Sequence, residues 1–273
     1  MTTLPAMEVL ATLSATIRPY ESVLIGYSGG VDSTLVAVAA RRALGREHVV
    51  AAIGRSASYP QDQREAAESL AARFDIPLVE IATHELEDPN YLANPTNRCF
   101  YCKAELWGRL GALAAQRGLT VVCDGTNADD LHEHRPGLGA GRRAGVRSPL
   151  AEAGLGKADV RAAARTLGIP NWDAPAAPCL SSRVQYGIEI TPRRLKQVED
   201  GEAFLRALGV SGNLRVRHRD TTASVEVDPE WIAWLEARRV AVTSGLTSLG
   251  FAAVNIDPRG YRRGSLILDA REA

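Results

Sequence analysis

Ser22-Val-Leu-Ile-Gly-Tyr-Ser-Gly-Gly-Val-Asp-Ser33 is the stretch that decides the fold. Its first half, Ser22–Tyr27, is an apolar run of strand length, the pattern of a strand covered on both faces. A helix is expected directly after it over Ser33–Leu44, where Leu35, Val36, Ala39 and Ala43 share one side. Between strand and helix lies Ser28-Gly-Gly-Val-Asp-Ser33. Gly29 and Gly30 let the backbone approach an anion closely, and exposed amides at the positive end of a helix stabilise phosphate. Ser28 and Ser33 add hydroxyl donors. Asp32 would repel bare phosphate, so its expected task is to hold Mg²⁺ bridging phosphates. No lysine follows the glycines as in a Walker loop, and no Gly-x-Gly-x-x-Gly is present. The loop is therefore neither that of a kinase or GTPase nor a dinucleotide fingerprint.

Strand and helix signals go on alternating on either side of this loop. Helices are expected over Met7–Ile17, Gln61–Phe74, Lys103–Arg117 and Lys157–Leu167, and strands over His48–Ile53, Leu78–Ala82 and Leu119–Cys123. The alternation predicts an α/β domain with a mainly parallel sheet and helices on both faces. Asp124 to Ser148, rich in Gly, Asp, Asn and Arg, reads as a long functional loop. Gly168-Ile-Pro170 stops the last helix. A second, Pro-rich loop covers residues 171–190. Past it come a helix over Thr191–Leu208, with Thr191 as N-cap and Pro192 at the first helical position, and a hairpin of Leu214–His218 and Ala223–Val227. A helical stretch from Pro229 to about Gly250 and a strand near Ala252–Ile256 complete a small α+β unit. The expected division is residues 1–170 and residues 171–273.

The 273 residues are 45% hydrophobic and 23% charged, with formal net charge zero, which reads as globular and predicts no nucleic-acid partner. No apolar run reaches the roughly 18 residues of a membrane span, and residues 1–20 lack the basic, apolar and cleavage regions of a signal peptide. A cytoplasmic protein is the expectation, and its four cysteines are then thiols, metal ligands or nucleophiles rather than a disulfide framework.

Cys123 ends an apolar strand and is assigned to the core. Cys99-Phe-Tyr-Cys102 brings two sulfurs within reach of one metal or of each other, which leaves zinc, a redox dithiol and an iron–sulfur cluster open. Cys179, in Ala-Pro-Cys-Leu-Ser-Ser-Arg183, is isolated on a polar loop, where a nearby Arg183 should lower its pKa and make it nucleophilic or metal-binding. Asp124, Asp129 and Asp130 serve Mg²⁺ or ribose, or build an Asx-rich turn. Arg215 and Arg217 point to one strand face and grip a phosphate, with Glu226 on the partner strand, or else the three form cross-strand ion pairs. His132 and His134 lie in the long loop without an assigned role. Lys103 neutralises phosphate or faces solvent.

Ser28–Ser33 is similar to the PP-loop of the ATP pyrophosphatase superfamily, whose members adenylate an oxygen of their substrate. Asp124-Gly-Thr-Asn-Ala-Asp-Asp130 and Ser148-Pro-Leu150 also resemble stretches of that superfamily. Together with Asn97-Arg98-Cys99, Arg135-Pro-Gly137 and Cys179-Leu-Ser-Ser-Arg183, these segments resemble the LarE family, in order and through nearly the whole chain. The resemblance implies an enzyme that adenylates a carboxylate of pyridinium-3,5-biscarboxylic acid mononucleotide and replaces its oxygen with sulfur for the nickel-pincer cofactor. ATP and Mg²⁺ would sit around Ser28, Gly29, Gly30, Asp32, Ser33, Gly125 and Asn127, with Asp129 and Asp130 as further Mg²⁺ ligands. Arg183, Arg215, Arg217 and Glu226 would receive the substrate phosphate. Sulfur would come from a [4Fe-4S] cluster on Cys99, Cys102 and Cys179, or from Cys179 itself. A homo-oligomer is implied, with a hexamer as the candidate. The alternatives are a tRNA thiolase, against which the zero net charge counts, and an amidating ligase of the NAD synthetase kind, which has no need of the three cysteines.

Overall fold

A computed structural model of the chain describes residues 4–133, 135–175, 177–262 and 264–266. It divides into two compact units. The first comprises residues up to Ser56, Gln61–Glu85 and Cys99–Ala177; the second comprises Ala57–Pro60, Leu86–Arg98 and the chain from Pro178.

The first unit is built on four strands, β1 (Val23–Gly26), β2 (Val49–Arg55), β3 (Leu78–Ala82) and β4 (Val121–Cys123). They pair in the order β3-β2-β1-β4, every pair parallel, with Val23 opposite both Val49 and Val121. Its helices are α1 (Ala6–Ile17), α2 (Val31–Leu44) and α3 (Gln61–Arg73), and, after α4 (Pro89–Leu92) of the second unit, α5 (Arg98–Arg117), α6 (Pro136–Arg143), α7 (Pro149–Glu152) and α8 (Lys157–Thr166). Leu24, Val50 and Ala52 turn one face of the sheet onto Trp107, Leu110 and Ala114 of α5, whereas α1, α2 and α8 pack together. The expected α/β sheet is therefore present, and its buried strands need no polar alternation because parallel strands lose both faces to helices. Order matters for function. The chain runs outward from β1 through β2 to β3 and then returns to the other side of β1 with β4, so the loops after β1 and β4 flank the switch point where open α/β sheets bind ligands.

Three boundaries differ from expectation. The long loop is not irregular throughout: Pro136–Arg143 is helical, although glycines 137, 139 and 141 disfavour a helix. Packing supplies what propensity lacks, since α6 lies on α5 with Gly137 against Lys103 and Gly141 against Trp107. Helix α5 starts at Arg98, five residues before the expected Lys103, and thereby takes Cys99 and Cys102 into its first turn. The stretch from Pro229 is two helices, α10 (Pro229–Glu236) and α11 (Arg239–Ser248).

The second unit carries α9 (Pro192–Ala207) and a sheet of β5 (Leu214–Arg219), β6 (Thr222–Val227) and β7 (Ala253–Ile256). The expected hairpin forms, antiparallel, with Arg215 opposite Glu226; β7 joins parallel to β6. Val216, Val225, Val227, Leu205, Leu246 and Ile256 form its core. At roughly 1.5–3 kcal/mol for each large apolar side chain buried, this cluster is what holds the small sheet against its helices.

Candidate active site

The turn after β1 has the expected character. Gly29 has φ +66°, and a Cβ there would stand 2.5 Å from the Cβ of Ala67 on α3, so only glycine is accommodated. Gly30 is the N-cap of α2, and no side chain caps that helix, which leaves its first-turn amides available to an anion. The two serines brace the loop: their hydroxyls lie 3.2 Å apart, and Ser33 Oγ donates to the Gly30 carbonyl at 3.1 Å. Asn171 Nδ2 donates to the Gly29 carbonyl at 2.8 Å.

The loop after β4 closes on this turn from across the switch point. Gly125 lies directly against the Ser33 backbone, and Asn127 Nδ2 donates to Asp32 Oδ1 at 3.1 Å. Lys157 Nζ, from the first residue of α8, reaches Asp32 Oδ2 at 2.5 Å. The other acids shape the loop. Asp124 accepts from the Thr126 amide, the Thr126 hydroxyl and the Ser148 hydroxyl. Asp129 Oδ2 accepts from the Lys157 amide at 2.7 Å. Asp130 accepts from the Asn127 amide at 3.1 Å and pairs with Arg135 at 2.9 Å, while burial pushes its carboxyl above the usual range. Of the three predicted Mg²⁺ ligands, Asp32 lies in the first turn of α2 beside Asn127 and Lys157, whereas Asp129 accepts from the Lys157 amide of α8 and Asp130 from the Asn127 amide of its own loop. A single carboxylate with phosphate oxygens and water suits Mg²⁺, which keeps much of its hydration.

Cys99 and Cys102, three residues apart on the first turn of α5, share a face; Cys99 is exposed and Cys102 half-buried. Cys123 is buried in β4 as expected, and burial pushes its thiol pKa well up. Lys103 stacks its ammonium 5.0 Å from the Trp107 ring. His132 ends a short 3₁₀ turn and is exposed. His134 lies outside the described residues. Among the described residues no three His, Cys, Asp or Glu side chains converge on one point.

In the second unit Cys179 is half-buried at the head of a 3₁₀ turn, Leu180–Arg183. Its carbonyl accepts from the Ser182 amide at 3.0 Å, the Ser182 hydroxyl at 2.7 Å and Arg183 Nη1 at 3.0 Å. Tyr91 and Ser181 join hydroxyls at 2.6 Å beneath the turn, and the Leu180 amide donates to Ser58. Arg183 is buried, grips Glu202 with two nitrogens at 3.0 and 3.1 Å, and donates to the Pro178 carbonyl. Its guanidinium thus fixes the backbone that carries the thiol; the thiol is not among its acceptors. Arg217 and Glu226 are likewise interlocked, at 3.0 Å, with Ser265 and the Ser182 carbonyl completing the set. Arg215 differs. It donates to its own neighbour Leu214, lies 5.4 Å from the Tyr261 ring centroid and pairs with no carboxylate among the described residues. Burial, and then Arg183, pull its pKa below the ordinary value. A buried guanidinium that makes no close ion pair keeps donors for an anion.

Lys157, Asn171 and Tyr91 were not singled out by their sequence context, since each sits in an ordinary helical or loop pattern. Asn127 and Gly125, by contrast, were legible through their Asx-rich string.

A parallel sheet with an uncapped glycine turn at its switch point, and an acid beside that turn, defines the class: an ATP-dependent enzyme of the PP-loop kind. The NAD synthase family profile matches residues 9–90. An uncharacterized protein of Synechocystis sp. is 42% identical over 248 residues, 90% of this chain and 92% of its own length. The pyridinium-3,5-bisthiocarboxylic acid mononucleotide synthase of Lactiplantibacillus plantarum is 36% identical over 94% of this chain and 92% of its own. An uncharacterized protein of Methanocaldococcus jannaschii is 28% identical over 89% of this chain and 91% of its own. The chain belongs to the LarE family, that of the Lactiplantibacillus synthase.

No helix among the described residues is long and apolar enough to cross a membrane.

Proposed function

We propose that this enzyme adenylates a carboxylate of pyridinium-3,5-biscarboxylic acid mononucleotide and converts it to a thiocarboxylate, a step toward the nickel-pincer cofactor of lactate racemase-like enzymes. The observation that carries the reading is the Gly29–Gly30 turn with Asp32, set in a chain related over nearly its whole length to a bisthiocarboxylic acid mononucleotide synthase. The NAD synthase match at residues 9–90 covers the nucleotide loop but none of Cys99, Cys102 and Cys179.

The α2 amides and the Ser28 and Ser33 hydroxyls hold the phosphates, Asp32 takes Mg²⁺, and Gly125 and Asn127 line the loop opposite. A substrate carboxylate oxygen attacks the α-phosphorus, the bond to the bridging oxygen breaks, and pyrophosphate departs with that electron pair. Sulfur then displaces AMP from the acyl carbon. Arg215 is the group suited to the substrate phosphate, with Arg183, Arg217 and Glu226 holding the surrounding frame. Asp129 and Asp130 are further Mg²⁺ ligands in this reading, their carboxylates also accepting from the Lys157 and Asn127 amides. Two routes supply sulfur. In one, Cys99, Cys102 and Cys179 would be the ligands of a three-cysteine [4Fe-4S] cluster, which would bring an extra sulfide. Alternatively, Cys179 gives up its own sulfur and is left as dehydroalanine. The expected division at residues 170 and 171 gives way to one after Ala177; the first unit takes the nucleotide task and the second the substrate-phosphate task, in a cytoplasmic homo-oligomer.

Anaerobically purified protein is assayed for iron and sulfide, incubated with ATP, Mg²⁺ and the biscarboxylic mononucleotide, and weighed by mass spectrometry. AMP, pyrophosphate and a thiocarboxylate are expected, with either stoichiometric iron and sulfide or loss of H₂S at Cys179. Product formed by a metal-free protein with Cys179 intact would remove both sulfur routes.

A further inference from the structure

The glycine turn presents its amides through one soft peptide plane. Neither Gly29 nor Gly30 has a Cβ to oppose rotation of the peptide between them, and Gly29 already sits at φ +66°. Orientation matters because a trans peptide points its carbonyl and its amide in opposite directions. In the observed orientation the Gly30 nitrogen lies 3.5 Å from Ser28 Oγ, on the side of the paired serine hydroxyls. Turned over, the same peptide would set a carbonyl oxygen against a phosphate, lone pair against anion. The next carbonyl needs no outside help, since Gly30 accepts from the Thr34 amide at 3.0 Å and the Ser33 hydroxyl at 3.1 Å. The Gly29 carbonyl is held from far along the chain. Asn171 Nδ2 donates to it at 2.8 Å, while Asn171 Oδ1 is buried and meets no donor among the described residues. A carbonyl only accepts, so the nitrogen of the side-chain amide must be the atom that faces it. Asn171 is itself fixed on α8. The Ala174 amide donates to the Asn171 carbonyl at 3.2 Å, Arg161 Nη2 reaches the Ala174 carbonyl at 3.5 Å, and the Arg165 guanidinium stands 5.2 Å from the Trp172 ring centroid.

We infer that Asn171 is a positioning residue for the phosphate site: by holding the Gly29 carbonyl it aims the Gly30 amide at the phosphates of the nucleotide. It touches no reacting atom and acts through the peptide. The inference deepens the nucleotide reading of this turn and rests on it. Apparent affinity scales with the fraction of molecules whose peptide is already turned the right way, and one net hydrogen bond changes that fraction by up to about tenfold.

Magnesium pyrophosphate is titrated calorimetrically into the wild type, Asn171→Ala and Asn171→Asp. The Gly30 amide resonance is followed in protein labelled with heavy nitrogen at glycine, and melting midpoints are taken without ligand. Asn171→Ala is expected to lose about three- to tenfold in pyrophosphate affinity. Asn171→Asp loses more, because its carboxylate faces the carbonyl oxygen. In ligand-free Asn171→Ala the Gly30 resonance shifts or broadens and returns to its wild-type position at saturating pyrophosphate, with melting unchanged. Wild-type affinity in both variants, or a loss of affinity with the ligand-free Gly30 resonance unmoved, would overturn the inference while leaving the nucleotide site standing. So would a collapse of folding in both variants, since a residue that holds the whole fold is not confined to one peptide. A wild type that fails to bind magnesium pyrophosphate would overturn the site as well.

Discussion

A Cβ on Gly125 would stand 2.6 Å from the Ser33 amide nitrogen and 2.9 Å from its Cα, both backbone atoms that cannot swing aside. Gly125→Ala must therefore push the loop after β4 away from α2, at a cost of about 1–3 kcal/mol for overpacking. The same displacement pulls Asn127 off Asp32. ATP affinity is expected to drop at least about tenfold in a binding titration, since a misplaced loop loses its contacts together; an Ala variant that binds ATP like the wild type would show the close approach to be dispensable. Gly125 was legible in the sequence through its Gly-Thr-Asn string. Lys157 was not, because a lysine opening an amphipathic helix looks the same whether it faces water or an aspartate 125 residues away.

Helix α9 shows what local sequence signals can settle. Thr191 Oγ1 accepts from the Arg194 amide at 3.2 Å, and Pro192 takes the first helical position, where its missing N–H is not needed. Replacing Thr191 with Ala removes that cap and is expected to cost about 1 kcal/mol. Urea midpoints of the two proteins measure it, and equal midpoints would show that the helix end is held by packing instead. Helix α6 is the opposite case: its three glycines conceal a helix that exists because it can lie close on α5. Local signals carry caps and periodicity; they do not carry the contact that overrides a poor propensity.

At the scale of the whole molecule, acid is expected to weaken the protein through His218. This histidine is buried on β5; Nε2 meets Gln197 Oε1 at 3.1 Å, and Nδ1 has no hydrogen-bond partner. Burial first, then the positive charge of Arg194, pull its pKa down to about 4 from the usual 6.5. The unfolded chain therefore binds a proton between those two values that the folded chain refuses, so stability is full above pH 6.5, falls as pH drops to about 4, and levels off below. The loss across that window is roughly 3 kcal/mol, read as the change in urea midpoint between neutral and acid pH, and His218→Gln should flatten it. An NMR titration placing the ring near its ordinary pKa would contradict this account. The sequence alone determined the strand–turn–helix with its phosphate-binding amides, the alternating α/β plan and the hairpin of the second unit, because each is written in neighbouring residues. Only the tertiary structure decided that β4 returns beside β1 to bring Asn127 and Lys157 onto Asp32, and that Arg183 and Arg217 are committed to carboxylates while Arg215 is left without one. Those outcomes depend on which distant side chains packing brings within about 3 Å, a distance no periodicity in the chain encodes.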